Sequence, residues 1–258
     1  MKPDERPGAL YLVPNTLDFG VAGDAVARLD DVLPMGSIRV AARLAFWVAE
    51  NAKTTRAFLK RVDALAPLQQ PLQAVQIVEL PRPAKGAKPG LPAPDLTPLL
   101  TPALQGHDMG LISEAGLPAI ADPGAALVQA AHRQGLRVVP LAGTSSLLLA
   151  LAASGLNGQS FAFVGYLPVD AVERSARVRE LEALSRRIGQ TQVFIETPYR
   201  NEALLAALLA TLTPATRLAV SCGLTLPGEW TRSDSVAGWR AAPSALPKDI
   251  PAVFSLLA

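Results

Sequence analysis

Short, continuous apolar runs recur along this chain, and they constrain its fold more than any other feature. Few are interrupted by polar residues, as is typical of strands that are buried on both faces of a sheet. Helical patterns separate them, and repeated strand–helix–strand order favours an α/β fold with a mostly parallel sheet. The predicted strands are Ala9–Pro14, Arg39–Val48, Ala74–Leu80, Met109–Ser113, Arg137–Leu141, Phe161–Gly165, Gln192–Glu196, Arg217–Ser221 and Ala252–Leu257.

The segments between these runs place apolar residues at helical spacing. The clearest is Ala171–Arg187, where Asp170 can cap the helix and Glu173 follows as in a capping box. The other predicted helices are Thr54–Ala66, Ala125–Gln134, Ser145–Ala153 and Asn201–Leu212.

The scarcity of cysteine and histidine excludes several kinds of chemistry. One Cys cannot form an internal disulfide, and one Cys with two His cannot supply the roughly four ligands of a Cys/His zinc site. We therefore expect no metal centre. The amino terminus mixes charges and prolines before any apolar run, unlike a signal peptide, so we predict a cytoplasmic protein. A formal net charge of +2 permits contact with RNA without requiring it.

One stretch resembles a membrane segment at first sight, because Val138–Val169 contains no charged residue. Pro140, Gly143 and the residues that follow them interrupt it early and leave an apolar helix too short to span a bilayer. We predict a buried strand, a tight turn and a buried helix there, and no membrane association.

Two segments indicate how the chain is divided. Leu80–Asp95 is so rich in proline and glycine that we expect an exposed loop. Ser154–Ser160 is a short polar connector, and we place the domain boundary within it. Residues 1–156 then form an amino-terminal α/β domain, and residues 157–258 form a carboxyl-terminal one. Near the end, GEWTRSDSVAGW (residues 228–239) suggests a hairpin.

The familiar phosphate-binding loops are missing from the sequence. It contains neither G-x-x-x-x-G-K-[ST] nor a G-x-G-x-x-G that opens a helix after a strand, which disfavours a Rossmann enzyme. Two other loops of small residues follow predicted strands, Ser113–Gly124 and Leu141–Ser146. One such loop could be a tight turn, but two, carrying Glu114 and Asp122, favour a ligand site at the carboxyl ends of strands.

Four motifs occur in an order and at spacings that resemble the tetrapyrrole methylase superfamily: SEAGLPAIADPG, PLAGTSS, SGLNGQSFAFVGYLP and FIETPYR. Its members are S-adenosylmethionine-dependent methyltransferases. Within it, the chain is similar to the branch that methylates a ribose 2′-hydroxyl of small-subunit ribosomal RNA, and closer to a short sister branch. It departs from that branch at several positions. Asn51 replaces an acid, and Glu114 replaces the aspartate of S-D-A-G.

The resemblance implies two α/β domains, with a mostly parallel sheet in the first, a mixed sheet in the second and the cofactor in the cleft between them. It also implies that loops rich in small residues hold the cofactor, and a carboxylate such as Glu114 would favour its positively charged sulfonium. The cofactor-binding residues expected from the resemblance are Pro14, Glu114, Gly116, Ile120, Thr144, Ser145, Ser146, Thr197 and Leu224.

Methylation of a ribose hydroxyl needs a base or a local field that makes the hydroxyl nucleophilic. The candidate bases or orienting groups are Asp122, Glu50 and Glu196. Two of them have simpler interpretations. Asp122 could cap a helix that begins near Pro123, and Glu50 could be an ordinary charge at the end of a strand.

Three basic residues, Lys53, Arg56 and Arg200, are the candidates for binding the substrate. Alternatively, Lys53 and Arg56 lie on a solvated helix face, and Arg200 pairs with Glu202 at a helix start. The sequence predicts a methyltransferase that acts on a ribose 2′-hydroxyl of ribosomal RNA and forms a homodimer. The alternatives are a methyltransferase of a tetrapyrrole-like or other small molecule, and a non-catalytic module that binds S-adenosylmethionine.

Overall fold

The computed structural model describes residues 6–18, 26–81 and 95–258. The chain divides into two compact units, Met1–Thr144 and Ser145–Ala258. Residues 82–94, most of the expected exposed loop Leu80–Asp95, lie outside the described residues.

The first unit is built on a five-stranded sheet in which every strand is parallel to its neighbours, in the order β3-β2-β4-β1-β5. This confirms the parallel sheet that the apolar runs predict. Its strands are β1 (Ala9–Leu12), β2 (Phe46–Ala49), β3 (Gln76–Glu79), β4 (Met109–Ile112) and β5 (Arg137–Pro140).

Helices cover both faces of this sheet. Successive side chains of a strand point to opposite faces, so the apolar strands place apolar side chains on both. Tyr11 packs on one face among residues of α2 and α3, whereas its neighbour Leu10 packs on the other among residues of α4 and α5. Both faces of the sheet therefore lie in apolar cores. The helices are α1 (Leu29–Val32), α2 (Met35–Arg43), α3 (Ala52–Asp63), α4 (Thr101–Leu104) and α5 (Ala125–Arg133).

The neighbouring strands β1 and β4 form a topological switch point. After β1 the chain continues into α1 and α2, which pack with Tyr11 on one face, and after β4 it continues into α5 on the opposite face. Open α/β sheets bind ligands outside the carboxyl ends of strands at such a point. In this sheet those ends are followed by Val13 and Ser113.

The second unit contains a five-stranded mixed sheet in the order β6-β7-β10-β8-β9, in which only β6 and β7 are parallel. The predicted mixed sheet is thereby confirmed. Stacked rings of Phe194 and Phe254, 5.8 Å apart, lie in its apolar core with the buried Trp239. Its elements are α6 (Ser146–Ser154), β6 (Phe161–Tyr166), α7 (Ala171–Ile188), β7 (Thr191–Glu196), α8 (Asn201–Thr211), β8 (Arg217–Cys222), β9 (Trp230–Ser235), α9 (Val236–Ala241) and β10 (Ala252–Leu257).

Helix α6 belongs to the second compact unit. Its Leu147 and Leu151 join a core cluster with Val193 of β7 and Val253 of β10. The compact units therefore divide before α6, whereas the predicted domains divide after it, within Ser154–Ser160.

Two local predictions are wrong. Arg39–Val48 is not one strand, because α2 runs to Arg43 and β2 begins only at Phe46. The hairpin within residues 228–239 is also absent from the described structure. Trp230–Ser235 forms a strand that pairs antiparallel with the preceding strand, β8. The Ser235 hydroxyl then caps α9 by accepting the Gly238 N–H at 3.0 Å.

The capping prediction for α7 is confirmed, since Asp170 Oδ1 accepts the backbone N–H groups of Val172 and Glu173, both at 2.9 Å. The uncharged stretch Val138–Val169 folds into β5, α6 and β6 rather than one long helix. Among the described residues, no helix combines the length and apolarity needed to cross a bilayer.

Candidate active site

The candidate site in the first unit lies along the carboxyl edge of its sheet. Because β2, β4, β1 and β5 are consecutive parallel neighbours, the loops that follow them emerge side by side. Those loops contain the predicted residues Glu50, Glu114, Pro14 and Thr144, respectively. Residues far apart in sequence are thus brought to one edge.

Asn15 connects three of these loops. Its backbone N–H donates to the Gly116 carbonyl at 2.8 Å, and its side-chain Nδ2 donates to the carbonyls of Ser113 at 3.1 Å and Glu114 at 3.0 Å. Its own carbonyl accepts the Thr144 hydroxyl at 3.1 Å. The buried Asn15 therefore fixes the loops after β1, β4 and β5 relative to one another.

Two glycines allow the close approach of these loops. Gly116 has a φ of 66°, in the left-handed region that favours glycine, and it lies between Leu17 and the Thr144 carbonyl. At Gly143 an added Cβ would lie 2.2 Å from the Cβ of Pro14, well inside contact distance. The predicted cofactor residues Pro14, Gly116 and Thr144 thus belong to one tightly packed junction.

Glu114 is held by groups from two further elements. Its backbone N–H donates to Glu50 Oε2 at 3.3 Å, and its Oε1 accepts the Thr54 hydroxyl of α3 at 2.8 Å. The Glu50 carboxylate thus contacts the loop that carries Glu114.

Asp122 is an acid whose pKa is strongly changed by its surroundings. Burial raises its pKa to about 6, and the negative charges of Glu50 and Glu114 act in the same direction. A hydrogen bond from Ser113 acts in the opposite direction. Perturbed acids of this kind are enriched at functional sites.

The capping alternative for Asp122 is wrong. The residue at the cap position of α5 is Gly124, and no side chain caps that helix. The backbone just before Asp122 has unusual features instead. Ala119 and Ala121 have φ values of 67° and 62°, a conformation that costs energy for alanine and that clusters at functional sites.

Helix α3 places its basic residues on different sides. Asn51 caps the helix by accepting the Lys53 N–H at 2.9 Å, and the side chains of Lys53 and Arg56 are exposed. Arg61, in contrast, turns inward. It pairs with Asp18 at 3.1 Å and donates to the Ala27 carbonyl at 2.8 Å.

In the second unit, Glu196 ends β7 and has only 3% of its side chain exposed. Its Oε1 accepts the Thr197 N–H at 2.7 Å and pairs with Arg200 at 2.6 Å. The hydrogen bond from Arg200 to Glu196 raises the pKa of that guanidinium. The predicted pairing of Arg200 with Glu202 is therefore wrong, because Glu196 is its partner.

The remaining predicted residues have varied surroundings. Ser145 is buried and precedes α6 without capping it through its side chain, and Ser146 is the first residue of that helix. Leu224 packs against the core cluster of Leu147 and its neighbours. Ile120 is 47% exposed. Among the described residues, no group of three or more His, Cys, Asp or Glu side chains is arranged to hold a metal.

The sequence does not predict Asn15 or Thr54 as site residues. Thr54 lies in the first turn of α3, and its contact with Glu114 depends on tertiary packing. The one available signal is that Asn15 directly follows Pro14 in a loop at the end of a strand.

The family model for tetrapyrrole (corrin/porphyrin) methylases matches residues 93–237, more than half of the chain. The chain belongs to this family. Its resemblance to the superfamily, inferred from four motifs, is thereby confirmed.

Among curated tetrapyrrole methylase relatives, the chain is similar to ribosomal RNA small subunit methyltransferase I of Mesorhizobium japonicum. The two are 39% identical over 140 residues, which cover 54% of this chain and 46% of that protein. The enzyme of the same name from Streptococcus pyogenes serotype M1 is 31% identical over 209 residues, covering 81% of this chain and 62% of that protein. The matched part thus spans roughly half of these relatives' length.

A solved structure supports the fold. Uroporphyrin-III C-methyl transferase from Thermus thermophilus, complexed with S-adenyl homocysteine, matches with a TM-score of 0.51 and 18% identity. The match covers 97% of each chain. At this identity the likeness establishes a shared tetrapyrrole methylase fold.

Proposed function

We propose that the protein is a methyltransferase that uses S-adenosylmethionine. The observation that carries this proposal is the junction of the loops after β1, β4 and β5 at a topological switch point, where open α/β sheets bind ligands. Membership of a methylase family supports it, as does the S-adenyl homocysteine bound to the Thermus thermophilus protein.

The residues of this junction fit such a cofactor. Gly116 and Gly143 let these loops pack closely, which holds the backbone groups along this edge in fixed positions. The carboxylates of Glu114 and Glu50 lie at the same edge and favour a positively charged sulfonium over a neutral thioether. We expect Pro14, Glu114, Gly116 and Thr144 to contact the cofactor. Ile120, Ser145, Ser146, Thr197 and Leu224 remain predicted contacts.

S-adenosylmethionine supplies a methyl group that is already activated for transfer. The protein must then align the acceptor hydroxyl, exclude water and accept a proton. We assign the proton to Asp122, since a carboxyl group with a pKa of about 6 is mostly ionised at neutral pH and still basic enough to accept it. Glu50 and Glu196 are already engaged with Glu114 and Arg200, so we assign them orienting roles.

For the methyl acceptor we propose a ribose 2′-hydroxyl of ribosomal RNA. The proposal is supported by the names of the curated relatives, which describe small-subunit ribosomal RNA methyltransferases. The exposed Lys53 and Arg56 lie near the start of α3, the helix that carries Thr54, and are our candidates for contacting phosphates. Arg200 is a weaker candidate because Glu196 already neutralises it.

The test is transfer of a tritiated methyl group from S-adenosylmethionine to small ribosomal subunits from a strain that lacks the gene. We expect label in the RNA, and digestion to nucleosides should release it as a 2′-O-methylated nucleoside. Label only in base methyl groups would contradict the ribose assignment, and no label in RNA would contradict the RNA assignment.

A small-molecule acceptor is the second candidate. Its support is the family model, whose description names corrin and porphyrin methylases. A parallel reaction with a metabolite extract separates the two, because label would then enter a small molecule and not RNA. Cofactor binding without label in either arm would favour a non-catalytic binding module.

A further inference from the structure

Thr54 lies at the start of α3, and its hydroxyl reaches a carboxylate on another strand's loop. Its Oγ1 donates to Glu114 Oε1 at 2.8 Å, and the backbone carbonyl of Asn51 lies 3.1 Å from the same oxygen. The neighbouring Thr55 makes only the second kind of contact, with its hydroxyl 2.8 Å from the Asn51 carbonyl. Both threonine hydroxyls thus lie within hydrogen-bond distance of the Asn51 carbonyl, and only the Thr54 hydroxyl also reaches Glu114.

The backbone of Glu114 is fixed independently of Thr54. Asn15 Nδ2 donates to its carbonyl at 3.0 Å, and its N–H donates to Glu50 at 3.3 Å. With both peptide groups restrained, the remaining freedom of Glu114 is rotation of its side chain. The hydrogen bond from the Thr54 hydroxyl to Oε1 acts directly on that rotation.

We infer that Thr54 is a positioning residue that aims the Glu114 carboxylate. The inference rests on the proposed function, in which Glu114 lies near the sulfonium of S-adenosylmethionine. S-adenosylmethionine and S-adenosylhomocysteine differ at one sulfur, which carries a methyl group and a positive charge in the first and neither in the second. A misdirected carboxylate therefore weakens binding of the charged ligand more than that of the neutral one.

The experiment compares the affinities of both ligands for the full-length protein by calorimetric titration. Thr54→Val keeps the side chain's shape and removes its hydroxyl. We expect it to weaken S-adenosylmethionine about tenfold, as for loss of a charge-assisted hydrogen bond, and S-adenosylhomocysteine less than about twofold. Thr54→Ser keeps the hydroxyl and should restore the wild-type affinity ratio.

Two further variants separate positioning from stability. Thr55→Val removes a hydroxyl of the same kind that does not reach Glu114, and it should leave the affinity ratio unchanged. In a Glu114→Gln background, Thr54→Val should have little additional effect on the ratio, because its target charge is gone.

The outcomes distinguish this inference from the proposed function. If the wild-type protein binds neither ligand, the proposed cofactor is wrong. If it binds both, and Thr54→Val either leaves them unchanged or weakens them equally, Thr54 does not act through Glu114.

Discussion

At the scale of single residues, the surroundings of Asp122 make a specific prediction about pH. Burial and neighbouring acids raise its pKa from 3.8 to about 6, so the folded protein binds a proton more tightly there than the unfolded chain does. Stability contributed by this proton is present below about pH 4 and is lost as pH rises through about 6.

Asp122→Asn removes that dependence. The thermal midpoint of the variant minus that of the wild type should be higher at pH 7.5 than at pH 4.5. Methyl transfer should also be lost if Asp122 accepts the proton. Thermal unfolding over a pH series measures the first effect, and a rate profile measures the second. A midpoint difference that does not vary with pH would contradict the assigned environment of Asp122.

Gly143 offers a second residue-scale prediction. Gly143→Ala places a methyl group 2.2 Å from Pro14 Cβ, so we expect a loss of about 1–3 kcal/mol in the free energy of unfolding, as for overpacking elsewhere. Gly158→Ala is the matched control, since an added Cβ there has no neighbour within 4 Å. Chemical denaturation compares the two, and equal stabilities would contradict the packing of the loops after β1 and β5.

Some residues of the candidate site could be recognised from the sequence, and others could not. Glu114 and Asp122 were recognisable because they follow an apolar strand in a loop of small residues. Thr54 was not, because its hydroxyl contacts Glu114 in a loop that is distant in sequence. The pairing of Arg200 with Glu196 rather than Glu202 was equally hidden, since both partners are close in sequence and only the fold chooses between them.

At the scale of elements, α3 presents its charges in two directions, which predicts how RNA binding responds to salt. Each phosphate contact contributes about one unit to the slope of log affinity against log salt. Lys53→Ala and Arg56→Ala should therefore each reduce that slope by about one. Lys248→Ala removes an exposed cation whose amine lies 3.6 Å from Glu202 in the second unit, and it should leave the slope unchanged.

Filter binding to small-subunit RNA over a salt series measures these slopes. Unchanged slopes for the α3 variants would show that this helix is a solvated surface, the alternative left open by the sequence.

Most elements could be predicted because buried parallel strands leave continuous apolar runs. The failure at Arg39–Val48 has a physical cause. The apolar face of α2, with Ile38, Ala41 and Ala42 buried, continues directly into the apolar strand β2. Helix and strand therefore merge into one run whose period is ambiguous. The same ambiguity does not arise at α7, where Asp170 marks the helix start.

At the scale of the whole molecule, the sequence predicted two α/β sheets but not their strand orders. The order β3-β2-β4-β1-β5 depends on which face each crossover helix covers, and apolar periodicity carries no information about that choice. The resemblance to the tetrapyrrole methylases supplied the mixed second sheet. The homodimer stays a prediction, which sedimentation of the purified protein would test.

In our proposal this family member binds S-adenosylmethionine mainly through the loops of its first unit. Calorimetric titration of the wild-type protein with S-adenosylmethionine and with S-adenosylhomocysteine tests it most directly. We predict saturable binding of both, with a stoichiometry of about one per chain, as expected of few well-formed ligand sites per protein. Absence of binding by either ligand, for protein shown to be folded by its cooperative thermal transition, would contradict the claim.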